Sequence, residues 1–376
     1  MKISYKQNCY YTNYVNEYYK DGSFYNIKKN IPKTVTIKPT LCCVARCAHC
    51  SPRNKKFSGN RIMSLEEYDV LFANLKKLGT ENICISGGEP LLYNNVVSLV
   101  ELITKNGMKA SLNTNGWLLN RVMFDKLMKA GLLAINVSLD SPIPSIHDKL
   151  RGLNGLFDKT VSQIKDCKAT NIPFVLNIRM VLSKHNYKDV DKMIDLAMEL
   201  NADVLSIDMI EADSKNKLFL LKEEELNLFE KSIKPELINK IITLNIDDEL
   251  KELDIKQIEN ILNPNFNSCK NYSNGIYWPD DNIKKKCDIP NSFLIIEGDG
   301  NVLPCNAVEY NRNKICGNLF EKNIFDVWES EEITKFRNDK MDFCRECPMN
   351  MSFMIFLTKN IIERDVYFEC WINYTR

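Results

Sequence analysis

From Thr34 onward the chain alternates short β-branched apolar runs with amphipathic stretches of helical period, and this alternation constrains the fold more than any other feature. Strands are predicted at residues 34–39, 83–86, 109–113, 134–140, 174–182 and 204–210. Helices are predicted between them at 64–78, 95–105, 120–130, 159–169 and 190–200. The first of these helices opens on Ser64 with Glu67 three residues later, a capping-box arrangement. Strands that alternate with helices imply an α/β fold, a parallel sheet covered by helices. Right-handed crossovers let such a sheet curl into a partial (β/α)6 TIM-like barrel.

The remainder of the chain reads differently. Residues 1–33 form an extension rich in tyrosine (Tyr10, Tyr11, Tyr14, Tyr18, Tyr19), expected to pack onto the core. The repeating core spans 34–212, and 213–268 is a charged, helical linker. From 269 to 376 cysteines thicken and Gly/Asn/Asp turns appear, which sets off a smaller C-terminal module. Lys and Arg number 50 against 49 Asp and Glu, so no net field favours nucleic acid or an anionic membrane as partner. Apolar runs such as 353–357 fall far short of the ~20 residues that span a bilayer. The first residues have no apolar signal core, so a cytoplasmic location is expected. Fourteen cysteines in such a chain point to metal or redox chemistry in preference to disulfides.

Seven of them fall into two groups with ligand-like spacing. Cys43, Cys47 and Cys50 give CxxxCxxC in the loop that follows the first strand, the end of a parallel barrel where active sites sit. Cys42, adjacent to Cys43, would point elsewhere. Four thiolates complete an all-protein 4Fe–4S site, so a loop with three could leave one iron open to an external ligand. A structural zinc site would need a fourth Cys or His nearby, and His49 is awkwardly placed between Cys47 and Cys50 to close it. The second strand runs into Gly87-Gly88-Glu89-Pro90. Its glycines permit close approach to a ligand, and Glu89 offers a charge-assisted hydrogen bond to an ammonium group.

Together the CxxxCxxC loop and the GGEP turn resemble the signature of the radical S-adenosylmethionine (SAM) superfamily, and the resemblance covers residues 34–212. It implies a SAM-binding 4Fe–4S cluster on Cys43, Cys47 and Cys50, with Glu89 at the methionyl amino group of SAM beside Gly87 and Gly88. It implies that His49 packs against adenine. Asn113-Thr114-Asn115-Gly116 resembles the ribose-side turn of the family, Ser138-Leu139-Asp140 its S-x-D element, and Arg151 an arginine that reaches the SAM carboxylate. No counterpart of a further adenine motif follows the fifth strand. The implied chemistry is one-electron cleavage of SAM, fed by an external donor such as flavodoxin or ferredoxin, to a 5′-deoxyadenosyl radical that takes hydrogen from a substrate carbon.

Cys287, Cys305, Cys344 and Cys347 form the second group, with Gly298-Asp299-Gly300-Asn301 as a hairpin turn ahead of Cys305. Four thiolates could equally close a zinc knuckle. The layout resembles the twitch module, the shorter relative of the SPASM domain, which implies one auxiliary 4Fe–4S cluster. Cys269, Cys316 and Cys370 are left over. SPASM and twitch enzymes mostly modify peptides by cross-linking, epimerisation or oxidation, while a smaller aminocyclitol dehydrogenase-like set oxidises a carbinol. A peptide or a small molecule is therefore the expected substrate, the peptide narrowly favoured. A non-catalytic cluster carrier is the third alternative, and the GGEP turn argues against it, because a carrier has no need to hold an amino acid moiety.

Overall fold

The computed structural model describes residues 30–50, 56–59, 61–210, 217–264, 268–275, 289–305, 315–338 and 352–358. The tyrosines of the N-terminal extension lie outside them, as do Cys287, Cys344, Cys347 and Cys370. Six strands, β1 (Thr34–Thr40), β2 (Asn82–Gly87), β3 (Lys109–Thr114), β4 (Ala134–Ser138), β5 (Val175–Leu182) and β6 (Val204–Met209), lie side by side in chain order. All five pairings between them are parallel. Helices α1 (Leu65–Leu78), α2 (Val96–Lys105), α3 (Arg121–Lys129), α4 (Pro144–Arg151), α5 (Leu156–Lys168) and α6 (Val190–Glu199) make the crossovers. This is the partial barrel that the alternation implies. Val35, Ile37, Ile83, Ile85, Leu112, Ile135 and Ile178 are fully buried, as strands covered on both faces require.

Local signals explain several boundaries. In α1, Ser64 Oγ accepts from the Glu67 N–H and Glu67 Oε2 accepts from the Ser64 N–H, so two orphan donors of the first turn are satisfied. Helix α4 was not foreseen. Its residues Pro-Ser-Ile-His-Asp-Lys-Leu-Arg include few apolar side chains, yet His147, Leu150 and Arg151 are buried. Pro144 presets its first turn, and Gly152 ends it at φ +62°. Asp148 then accepts from the N–H groups of Gly155 and Phe157, so α5 begins three residues earlier than periodicity suggests.

The strands of the C-terminal region do not form a sheet of their own. β7 (Phe293–Glu297) pairs parallel with β1, and β8 (Asn301–Leu303) and β9 (Gly317–Asn318) continue outward from it. β10 (Ser352–Phe356) pairs antiparallel with β6 at the other edge, which completes one ten-stranded sheet. Helical residues 223–260 end in Asp248–Asn260, which lies along β10. There Asp254 accepts from the Phe356 N–H at 3.0 and 3.1 Å and Gln257 from the Met354 N–H at 3.0 Å, so edge donors are covered instead of exposed. Among the described residues no helix is long and apolar enough to cross a membrane.

Candidate active site

The loop that carries Cys43, Cys47 and Cys50 leaves the C-terminal end of β1 and is fastened on two sides. On one side the N–H groups of Gly88 and Glu89 donate to the carbonyls of Thr40 (2.9 Å) and Cys42 (2.7 Å). On the other, the N–H groups of Arg46 and Ala48 donate to the carbonyls of Arg151 (3.0 Å) and Leu150 (2.8 Å), the last turn of α4. A Cβ on Gly88 would lie 2.2 Å from the Cys42 oxygen, and one on Gly152 2.5 Å from that of Arg46. The glycines therefore do serve a close approach, but the backbone that approaches Gly87 and Gly88 is the chain's own cysteine loop.

Glu89 is fully buried behind this loop. Its Oε1 accepts from Thr114 Oγ1 (2.8 Å) and the Leu91 N–H (3.1 Å), and Oε2 from the Asn115 N–H (2.8 Å). Burial raises its pKa, and these donors work against that rise. Among the described residues no Lys, Arg or His side chain pairs with it. A buried carboxylate held only by uncharged donors suits a cationic ligand group.

A second buried carboxylate, Asp140, organises the other side. Its Oδ1 accepts from Arg151 Nη2 at 2.6 Å and from the Val181 N–H at 3.0 Å, while Oδ2 lies 3.7 Å from His49 Nε2. The Asp140 N–H donates to His147 Nδ1 at 3.1 Å. Burial favours the protonated carboxyl, yet the Arg151 guanidinium, with His49 and His147, holds Asp140 below the usual carboxylate range. Burial pulls both His49 and His147 down to about 4, so both imidazoles are neutral near pH 7.

The sequence-predicted residues are thus distributed as follows. Cys43, Cys47, Cys50, His49, Glu89 and Arg151 are joined by one hydrogen-bonded surround. Arg151 spends one amino group on Asp140 and turns the other to Cys47 Sγ at 3.9 Å. Asn113 does not face the cysteines. Its Nδ2 donates to Ser86 Oγ and its Oδ1 accepts from Asn136, in a polar row that continues through Asn177 to Ser206 across the sheet. Asn115, two residues on, donates instead to Cys43 Sγ at 3.7 Å. Ser138 is half-buried at the end of β4, in register with Arg179 of β5. Asp140, His147 and Asn115 were missed as site residues, and only the S-x-D and Asn-Thr-Asn-Gly motifs hinted at them.

The sulfurs of Cys43 and Cys47 therefore face side-chain N–H donors, Asn115 for Cys43 and Arg151 for Cys47, as suits thiolate ligands. Among the described residues no three His, Cys, Asp or Glu side chains converge on a single ion. Cluster thiolates each bind a different iron, so the loop fits a cluster better than a lone metal. Of the second group, Cys305 is half-buried just beyond β8, and the other three lie outside the described residues. Cys316 is a core thiol, its pKa pushed by burial to about 12.

Residues 37–197 match the radical SAM superfamily, and residues 287–348 match SPASM, an iron–sulfur cluster-binding domain. The chain therefore contains a radical SAM domain. With that domain come a 4Fe–4S cluster and SAM as cofactors, and with the SPASM domain an auxiliary iron–sulfur cluster. The chain is similar to the Fe-coproporphyrin III synthase of Methanosarcina barkeri, 33 % identical over 43 % of this chain and 39 % of the relative. It is similar also to the AdoMet-dependent heme synthase of the same organism, 30 % identical over 46 % of this chain and 49 % of the relative. The chain thus spans less than half the length of these curated relatives. Its fold is shared with Streptococcus suis SuiB bound to S-adenosylmethionine, at TM-score 0.63 and 17 % identity over 89 % of this chain and 74 % of SuiB. SuiB has also been solved bound to its precursor peptide SuiA. The fold is shared too with anSMEcpe bound to AdoMet, at TM-score 0.60 and 20 % identity over 84 % of this chain and 88 % of that one.

Proposed function

We propose that this chain is a radical SAM enzyme that abstracts hydrogen from a carbon of a peptide substrate, in the maturation of a peptide natural product. The observation that carries the SAM assignment is Glu89, a fully buried carboxylate met, among the described residues, only by the uncharged donors of Thr114, Leu91 and Asn115, next to the cysteine loop. A carboxylate so placed gains most from an ammonium group, which is what the amino acid end of SAM presents. A cluster carrier would have no use for it. The peptide assignment is supported by the fold shared with SuiB, which has been solved with its precursor peptide.

When bound, the cluster and SAM supply the one-electron cleavage and the 5′-deoxyadenosyl radical; the hard chemistry is theirs. The chain's residues hold and orient. Cys43, Cys47 and Cys50 would ligate the SAM cluster, and Cys287, Cys305, Cys344 and Cys347 the auxiliary one. Glu89 would hold the SAM amino group, while Gly87 and Gly88 seat the cysteine loop against it. Ser138, at the end of β4, would reach SAM from the next strand but one. An external reductant of the flavodoxin or ferredoxin type would supply electrons.

The test is anaerobic reconstitution followed by SAM binding in the wild type and in Glu89→Gln. The lost charge-assisted hydrogen bond is worth about 1.5–3 kcal/mol, so affinity should fall by about one to two decades while iron content stays the same. Unchanged affinity would overturn the SAM-site assignment.

A further inference from the structure

Arg151, in the buried surround of the cysteine loop, is a cation whose guanidinium reaches a cysteine. Its Nη2 is fixed on Asp140 Oδ1 at 2.6 Å, and its Nη1 then points at Cys47 Sγ, 3.9 Å away. The pair is buried, with Arg151 8 % and Asp140 0 % exposed. Asp140 is itself held by the Val181 N–H, so the guanidinium is anchored from β5 across to α4. The same residue supports the loop through its backbone, since the Arg151 carbonyl accepts from the Arg46 N–H at 3.0 Å. Gly152 makes that approach possible, because a Cβ there would meet the Arg46 oxygen at 2.5 Å. Cys43 has the neutral Asn115 amide in the comparable place, at 3.7 Å.

We propose that Arg151, oriented by Asp140, is a positioning residue that sets the reduction potential of the cluster through Cys47. The proposal rests on the reading above that Cys47 ligates that cluster. Reduction adds one electron, and so one negative charge, to the cluster and its thiolates. A cationic donor at a ligand sulfur stabilises that added charge more than it stabilises the oxidised form, and hydrogen bonds to ligand sulfurs are a recognised control on potential. Asp140 neutralises the pair as a whole but leaves the positive end of the dipole turned towards the sulfur. The expected role in binding the SAM carboxylate could draw on the remaining N–H groups of Arg151, so the two roles are separated by leaving SAM out.

The experiment is a potentiometric titration of the reconstituted protein without SAM, followed by electron paramagnetic resonance, in the wild type, Arg151→Met and Arg151→Gln. Arg151→Met removes charge and donor, and at a fixed potential the ratio of reduced to oxidised cluster should fall about tenfold, which is about 59 mV for a one-electron couple. Arg151→Gln keeps a neutral donor and should move the same way by less. A loaded variant that titrates at the wild-type potential overturns the proposal, even if its SAM affinity has dropped. A wild type that holds no cluster on this loop instead overturns the underlying ligand assignment. Should neither variant take up iron, the wild type labelled with 15N-arginine carries the test. The reduced cluster should then show a hyperfine coupling to 15N, and its absence counts against Arg151.

Discussion

Two buried aspartates sit beside the two cysteine-bearing parts of this molecule, and they are satisfied in different ways. Asp140, next to the loop of Cys43, Cys47 and Cys50, takes the guanidinium of Arg151 and the N–H of Val181 on one oxygen. Asp299, in the turn between β7 and β8 ahead of Cys305, takes four uncharged donors on Oδ2: the N–H and hydroxyl of Ser58, the N–H of Gly59 and the amide of Asn301. In both, the second oxygen is buried and has no hydrogen-bond partner among the described residues. Three of the donors of Asp299 come from residues 58 and 59, shortly after the first cysteine group, so that carboxylate staples the C-terminal hairpin to the chain that follows the cysteine loop. A neutral clasp of this sort fixes position. The charged pair fixes position and also places a field at a sulfur.

The sharpest way to break this comparison is to remove each charge without changing shape. Asp140→Asn should strand the buried Arg151 cation and cost about 3–5 kcal/mol in urea unfolding of the anaerobically reconstituted protein. Asp299→Asn keeps an acceptor for uncharged donors, three of them on the exposed residues Ser58 and Gly59, which water can re-satisfy, and should cost about 1–2 kcal/mol. Equal losses would mean that the Asp140 charge is not what distinguishes the two sites.

A third, smaller effect sharpens the electrostatic side. His147, fully buried with Nδ1 accepting from the Asp140 N–H, has its pKa lowered from 6.5 to about 4, chiefly by burial. The unfolded chain therefore takes up this proton before the folded one does. Stability is unaffected by this group above pH 6.5 and should fall by about 1.4 kcal/mol per pH unit as pH drops from there towards 4. In His147→Gln that contribution to the slope should vanish, although other acidic groups still titrate. Identical slopes in the two proteins would show that His147 is protonated in the folded state.

Much of this was written in local sequence. The strand–helix alternation, the Ser64–Glu67 capping box, the spacing of Cys43, Cys47 and Cys50 and the Gly-Gly-Glu-Pro turn each involve residues within a few positions of one another. Their periodicity and turn chemistry therefore carry them directly. Helix α4 was hidden because its buried residues are His147, Leu150 and Arg151, and two of those three read as surface residues until a partner is known. Asn113 and Asn115 flank Thr114 in one motif, and only the turn out of β3 decides which amide meets Cys43.

By itself, then, the sequence determined the barrel core, the cysteine loop and the radical SAM domain. The tertiary structure decided who stands behind the loop. Arg151 reaches Cys47 across 104 positions of chain, and Ser58 reaches Asp299 across 241. β7 and β10, which start at Phe293 and Ser352, join opposite edges of a sheet begun at Thr34, at positions that no local pattern specifies. Such pairings are set by which buried charges and edge groups remain to be satisfied once the core has closed, and that is a property of the assembled fold.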